Sequence, residues 1–231
     1  MTTHADETTS DTTGDPSNWT NWLRTKIVGL VPPGQALPDR QPVYVASWIY
    51  VFGVLTLASL VVVIGSGCVL AIGGSAWWHV SSLGHYVNSV HLWSVQLLFG
   101  FMVIHLWGKF FMAAWRGERA LTWISGVVLF AVSIGTSFTG FLAQTNFDAQ
   151  WIGGQAKDGL NSVGVGAWFN VLNPGQMLMW HIVLLPLVLV ALTAMHVILV
   201  RRHGVVPPIG TETAGAETAT TVATGLADEE T

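Results

Sequence analysis

Four stretches of this 231-residue chain contain no Lys, Arg, Asp or Glu, and each is long enough to cross a bilayer. They run from Ala46 to Ile72, from Tyr86 to Gly108, from Ala120 to about Ala143, and from Gln176 to Val200. A hydrocarbon core about 30 Å thick needs roughly 20 helical residues to span it. Composition agrees: 51% of the chain is hydrophobic and 10% is charged, where a soluble domain carries about 25% charged residues. The reading is an all-α, integral membrane four-helix bundle, with both termini on one side because the number of spans is even.

The basic residues choose that side. Arg24, Lys26 and Arg40 precede the first span, Lys109, Arg116 and Arg119 lie between the second and third, and Arg201 and Arg202 follow the fourth. Lys157 stands alone on the opposite side. By the positive-inside rule both termini and the middle loop are expected to be cytoplasmic. Tryptophans flank the spans at both ends as interfacial belts, Trp107, Trp115 and Trp123 inside, and Trp77, Trp78, Trp93, Trp151, Trp168 and Trp180 outside.

The flanks divide the chain further. Residues 1–17 are rich in Thr, Asp and Ser, and residues 210–231 are low-complexity and acidic, so both are expected to be disordered tails. In residues 18–45, Trp19, Trp22, Leu23, Ile27 and Leu30 recur near helical spacing before Pro32-Pro33, which predicts an amphipathic surface helix and a linker. Residues 46–209 form the membrane domain, and its long connection at about 144–175 is expected to be partly helical and outer-facing. The first residues lack the basic start and apolar run of a signal peptide. A net charge of −4 with nine basic residues argues against nucleic-acid binding. A single cysteine, Cys68, excludes a disulfide framework, a Cys-ligated zinc site and an iron–sulfur cluster.

Four histidines fall inside the spans. His91 and His105 lie on the second, and His181 and His196 on the fourth. Fourteen residues at 100° come within about 40° of four whole turns, so His91 and His105 share a face, with Cα atoms about 21 Å apart. His181 and His196 are fifteen apart, an extra offset of about 60° that a kink at Pro186 would absorb. The second and fourth spans run in the same direction, so His91 faces His181 near the outer side and His105 faces His196 nearer the inner side. An imidazole above and below a flat macrocycle is a bis-histidine haem b site, and the spacing builds two, stacked. Gly53 and Gly67 on the first span, and Gly126 and Gly140 on the third, repeat the same interval and would let porphyrins lie close to the backbone. A zinc or iron ion alone would find two ligands per level, too few. A lone membrane histidine more often bridges helices by hydrogen bonds, and that reading leaves a cofactor-free scaffold or transporter subunit.

These residues, with NSVHLW (Asn88–Trp93), RALTWISGVV (Arg119–Val128) and HVILVRRHG (His196–Gly204), resemble the N-terminal dihaem domain of the cytochrome b family. The likeness covers about residues 19–208 and is nearest to the split, cytochrome b6-like form. It implies a subunit of a quinol-oxidising cytochrome bc-type complex in a prokaryotic cell membrane. His91 and His181 would bind the outer haem iron, and His105 and His196 the inner one. Arg119 corresponds to a basic residue near the inner haem propionates, and Arg201 to one lining the inner quinone pocket. The implied partners are the C-terminal half of cytochrome b (a subunit IV-like protein), a Rieske iron–sulfur protein, quinol and quinone, and a second copy in a homodimer. The chain is not expected to be catalytically complete alone.

Three departures accompany the resemblance. Asn88 stands where the family has a propionate-binding arginine, Gln144 and Thr145 replace a Pro-Trp pair of the outer quinol pocket, and Val51 replaces the cysteine that would attach a covalent third haem. No third haem is therefore expected. Asp148 and Gln150, near Trp151, either border a quinol pocket or edge a solvated loop. His79 and His85 are expected in the loop between the first two spans, and His203 after the fourth. A competing function keeps both haems in a membrane anchor for another oxidoreductase, such as a nitrate reductase.

Overall fold

The computed structural model describes residues 19–30, 32, 45 and 47–208, and among these all regular structure is helical. Helix α1 (Trp19–Leu30) belongs to a first compact unit, Met1–Gln41, and the remaining elements to a second, Pro42–Thr231. In α1 the side chains of Trp19, Trp22, Leu23, Ile27 and Leu30 are all exposed, and the helix stops just short of Pro32. The tails expected at 1–17 and 210–231, and most of the expected linker, lie outside the described residues.

The second unit contains α2 (Val51–Val80), α3 (Ser82–Phe111), α4 (Ala120–Ala143), α5 (Phe147–Ser162), α6 (Pro174–Met179) and α7 (Leu185–His203). A 3₁₀ turn, Trp48–Tyr50, leads into α2, and another, Gly117–Arg119, into α4. A π turn, Trp180–Leu184, joins α6 to α7, so Pro174–His203 runs as one span. Four helical stretches are long and apolar enough to cross a membrane: Trp48–Val80, Ser82–Phe111, Gly117–Ala143 and Pro174–His203. This is an integral membrane protein.

Three of the four spans are longer than the uncharged stretches suggest, and the third matches its expected bounds. The first two extend toward one another until a single residue, Ser81, separates them. His79 and His85 therefore sit in α2 and α3 rather than in a loop, and His203 is the last residue of α7. The turn is tight because Gly84 lies directly beneath Trp78, where a Cβ would come within 2.7 Å of the Trp78 Cα. Ser81 caps α3 by accepting from the Gly84 N–H at 3.3 Å. Gly74, with φ 77°, breaks the helical dihedrals of α2 one turn before Trp78. Trp78 is buried at this turn, so it packs within the protein instead of joining the interfacial belt.

Helix α2 packs chiefly on α3, and α4 on α7, so the bundle consists of two helix pairs. Between them lies a core of Leu60, Leu98 and Leu189, surrounded by Val63, Ile64, Met102, Leu129 and Val132. At the end bearing α5, a second core joins Leu142, Val171 and Met177 to Phe138, Leu160, Phe169 and Trp180. There Asn146 caps α5 and Asn173 caps α6, and Lys157 holds the returning loop by donating to the Gly166 carbonyl (3.1 Å) and Asn170 Oδ1 (3.0 Å). The opposite end, which bears the α3–α4 connection, is fastened by Tyr50. Its hydroxyl donates to the Val206 carbonyl at 2.8 Å across 156 residues of sequence.

Leu98 is 4% exposed at the centre of the first core. Leu98→Ala is expected to cost about 2–5 kcal/mol, as deletion of a buried leucine side chain does when its surroundings collapse only partly. Thermal denaturation in detergent measures this, and a surface change such as Leu97→Ala provides the control.

Candidate cofactor-binding site

The four membrane histidines fall at two levels, and each presses against a glycine of its packing partner. On the α2–α3 pair, a Cβ at Gly67 would meet His91 Cε1 at 3.2 Å, and one at Gly53 would meet His105 Cε1 at 3.0 Å. On the other pair, a Cβ at Gly126 would meet His196 Cε1 at 3.3 Å, and one at Gly140 would overlap the His181 ring, with Nδ1 at 2.8 Å. All eight residues of the predicted set thus come together as four imidazole–glycine contacts. The glycines were expected to make room for a macrocycle. The imidazoles themselves lie against the bare glycine backbone, where a side chain would compete with the ring.

Removing the Cβ has a second effect. A helical side chain covers the turn N-terminal to its own Cα, so a glycine uncovers the carbonyl four residues earlier. His91 Nδ1–H donates to the Val63 carbonyl at 3.0 Å, four residues before Gly67. His181 Nδ1–H donates to Thr136 at 2.9 Å, four before Gly140. For His196 the partner is the Ser125 hydroxyl, one residue before Gly126. The equivalent residue for Gly53 is Ile49, which lies in the 3₁₀ turn before α2, so no helical carbonyl is aligned there. His105 Nδ1 is buried without a hydrogen-bond partner among the described residues.

Two serines that sequence reasoning passed over complete the arrangement. Ser125 Oγ donates to the Thr122 carbonyl at 2.7 Å, so its oxygen is left to accept from His196 Nδ1–H at 2.8 Å. Ser66 Oγ donates to the Val62 carbonyl at 2.7 Å and lies 3.0 Å from His91 Nδ1. Both serines immediately precede the facing glycine, so the Ser-Gly dipeptides 66–67 and 125–126 were the available signal. Donation from Nδ1 leaves Nε2 with a free lone pair, the form of imidazole that binds a metal.

The ring centres of His91 and His181 are 6.1 Å apart. Metal–imidazole bonds of about 2.0 Å on either side of one ion would put two such centres about 6 Å apart. Among the described residues no three His, Cys, Asp or Glu side chains gather as metal ligands, so an ion at either level would draw its remaining ligands from a group of its own. The π turn explains how fifteen residues can match fourteen. It begins at Trp180, contains His181, and takes up one extra residue within its wider turn. The expected adjustment at Pro186 is made there, immediately ahead of the proline.

At the end bearing the α3–α4 connection, three more donors are buried without a hydrogen-bond partner among the described residues: Lys109 Nζ, Arg119 Nε and Trp123 Nε1. Lys109 is one turn beyond His105, Trp123 one turn before Gly126, and Arg119 a further turn back. Lys109 Nζ also sits 3.9 Å from the centre of the Tyr50 ring. Buried donors in this state call for an anionic partner. Arg201 is exposed at the same end. At the other end, Asp148 is exposed in the first turn of α5, and Gln150 Nε2 donates to the Thr145 carbonyl at 3.0 Å.

Comparison with known proteins bears on this geometry. The profile described as Cytochrome b(N-terminal)/b6/petB matches residues 96–226, which include His105, Gly126, Gly140, His181 and His196. The chain belongs to this cytochrome b family, in its cytochrome b6-like form. It is 29% identical over 217 residues to a cytochrome bc complex cytochrome b subunit from Chlorobaculum thiosulfatiphilum, across 84% of this chain and 50% of that protein. It is 25% identical over 214 residues to cytochrome b6 of Heliobacterium mobile, across 82% of this chain and 100% of that protein. With the menaquinol:cytochrome c reductase cytochrome b subunit of Geobacillus thermodenitrificans, identity is 28% over 71% of this chain and 84% of the relative. The chain thus spans half the length of the first of these and the whole of the second. A chain of a hyperthermophilic respiratory Complex III shares the fold, with a TM-score of 0.61 and 19% identity over 89% of this chain and 65% of that one.

Family membership implies haem b binding, and the residues fit that group. Three of the imidazoles engage Nδ1 and so keep Nε2 free, each level offers two imidazoles and, among the described residues, no third metal-binding side chain, and the buried donors of Lys109, Trp123 and Arg119 lie one to two turns from one level. The glycine contacts predict a graded series. Gly140→Ala would displace the His181 ring and is expected to remove haem, whereas Gly126→Ala needs only a few tenths of an ångström and should retain it. Haem content per chain, measured on the purified variants, tests the order.

Proposed function

We propose that this chain carries electrons across a cell membrane through two haem b groups, as the cytochrome b subunit of a quinol-oxidising, bc-type complex. The observation that supports it best is the repetition of one imidazole–glycine contact at two levels on two helix pairs, in a chain of the cytochrome b family. His91 and His181 would ligate one haem iron, and His105 and His196 the other. Haem b, when bound, supplies reversible one-electron chemistry at its iron.

The chain's own residues do the rest. The Val63 and Thr136 carbonyls, with Ser66 and Ser125, fix three imidazoles by Nδ1 and leave Nε2 free. Gly53, Gly67, Gly126 and Gly140 let the rings lie at the required depth. Leu60, Leu98 and Leu189 keep water out of the space between the levels. Lys109, Arg119 and Trp123 would donate to the propionates of the second haem. Arg201, exposed one turn beyond His196, would border a quinone site. Val51 replaces the cysteine of a covalent third haem, which leaves two non-covalent groups.

In the orientation we propose, the α3–α4 connection and both termini face the cytoplasm, where the basic residues concentrate. The α5 end then faces outward. The complex would be completed by a C-terminal cytochrome b half, a Rieske iron–sulfur protein and a second copy of each subunit, with quinol as electron donor.

A pyridine haemochrome assay with redox titration on the purified chain tests the core of this reading. Two low-spin b haems per chain are expected. His91→Ala and His181→Ala should each remove the same haem, and His105→Ala and His196→Ala the other. One haem or none, in folded protein with ample haem supply, contradicts the proposal. Co-purification of a C-terminal cytochrome b half and a Rieske protein tests the assembly, and recovery of a molybdoenzyme in their place would contradict it.

A further inference from the structure

Asn88 and Gln144, two of the positions at which this sequence departs from the family pattern, are hydrogen-bonded to each other. Asn88 Nδ2 donates to Gln144 Oε1 at 3.4 Å, and Gln144 Nε2 donates back to Asn88 Oδ1 at 3.3 Å. The pair joins α3 to the C-terminal end of α4, and both side chains are partly buried. Asn88 is one turn before His91, and Gln144 is one turn beyond Gly140, which lies against His181. The amide pair therefore sits one turn outward of the His91–His181 level, approached from two helices.

Carboxylates carried by a cofactor buried in lipid must point toward the nearer aqueous face, since an ionised group in the apolar interior is costly. For the outer level, that edge is where the amides meet. Each primary amide has two N–H donors, and the reciprocal pair uses one from each, so one N–H on each side remains for a carboxylate. Lys157 of this end is occupied elsewhere, its Nζ bonded to Gly166 and Asn170, and the His85 ring is held by the His79 carbonyl at 2.8 Å. The inner level differs, with Lys109 Nζ and Arg119 Nε buried at its own aqueous edge without a hydrogen-bond partner among the described residues.

We infer that the Asn88–Gln144 amide pair is a charge-neutral clamp for the carboxylate edge of the outer haem, and that it holds this haem at a lower reduction potential than a cation there would. The inference rests on the two-haem reading above. Adding an electron near a positive charge is favoured and near a negative charge disfavoured, so the charge at position 88 sets the outer potential while the inner level, about 21 Å away along the helix, is largely insulated from it. Asn88 acts as a positioning residue, touching neither iron nor its ligands.

The test is an optical and EPR redox titration of the holoprotein in detergent, with the outer haem identified by its loss in His91→Ala. Asn88→Arg is expected to favour reduction of the outer haem about tenfold, which is about 59 mV for a one-electron couple, and to leave the inner haem in place. Asn88→Asp, nearly the same shape, is expected to move the same midpoint the opposite way. Two intact haems whose midpoints ignore both substitutions, or shift together, would overturn the clamp alone. An unsubstituted chain with fewer than two haems would overturn the two-haem reading and the clamp with it.

Discussion

A histidine ring laid against the bare Cα of a glycine on the adjoining helix sets the dimensions of this bundle. Each contact brings two helices close and turns an imidazole inward, and at Gly67 and Gly140 it also opens a backbone carbonyl that holds the ring by its Nδ1–H. The pairing of α2 with α3 and of α4 with α7 follows from where the contacts lie, and so does the space between the pairs. A methyl group at any of the four glycines would compete with a ring, and ring position in turn decides what can occupy the gap. Packing and cofactor chemistry here are one constraint.

Much of this was legible from residue spacing. A fourteen-residue interval is close to a whole number of helical turns, so the histidines of α3 and the glycines of α2 and α4 had to share faces. The depth pairing of His91 with His181 followed from helix direction alone. What could not be read was the partner of each glycine. Periodicity gives the face a residue occupies but not the side chain lying against it, so it does not reveal that each glycine meets an imidazole. The π turn was hidden for a related reason: fifteen residues suggested a mismatch and Pro186 suggested a kink, but local backbone winding leaves little trace in composition.

Charge-free runs also understated the helices. His79, Trp78 and His85 looked like loop residues because polar and aromatic side chains punctuate the apolar pattern there, yet the chain needs only Ser81 and Gly84 to reverse. Long-range polar contacts were invisible in the same way. The Asn88–Gln144 pair spans 56 residues, and the Tyr50–Val206 bond 156. Each sequence position could be noted as unusual, but a hydrogen bond between them needs the fold.

The leucine core has a consequence for bioenergetics. Leu60 lies midway between Gly53 and Gly67, Leu98 midway between His91 and His105, and Leu189 near the middle of His181–His196. Across all four helices, the residues between the two levels include no Asp, Glu, Lys, Arg, His, Cys or Tyr. The buried serines there are Ser59, Ser94 and Ser133, and Ser133 returns its proton to the Leu129 carbonyl of its own helix. Such a partition holds no side chain that could take up a compensating charge, so a negative charge moving between the levels would travel uncompensated. Transit across a full membrane potential would then cost or release about 2.3 kcal/mol per 100 mV, making the midplane leucines the insulator of a capacitor.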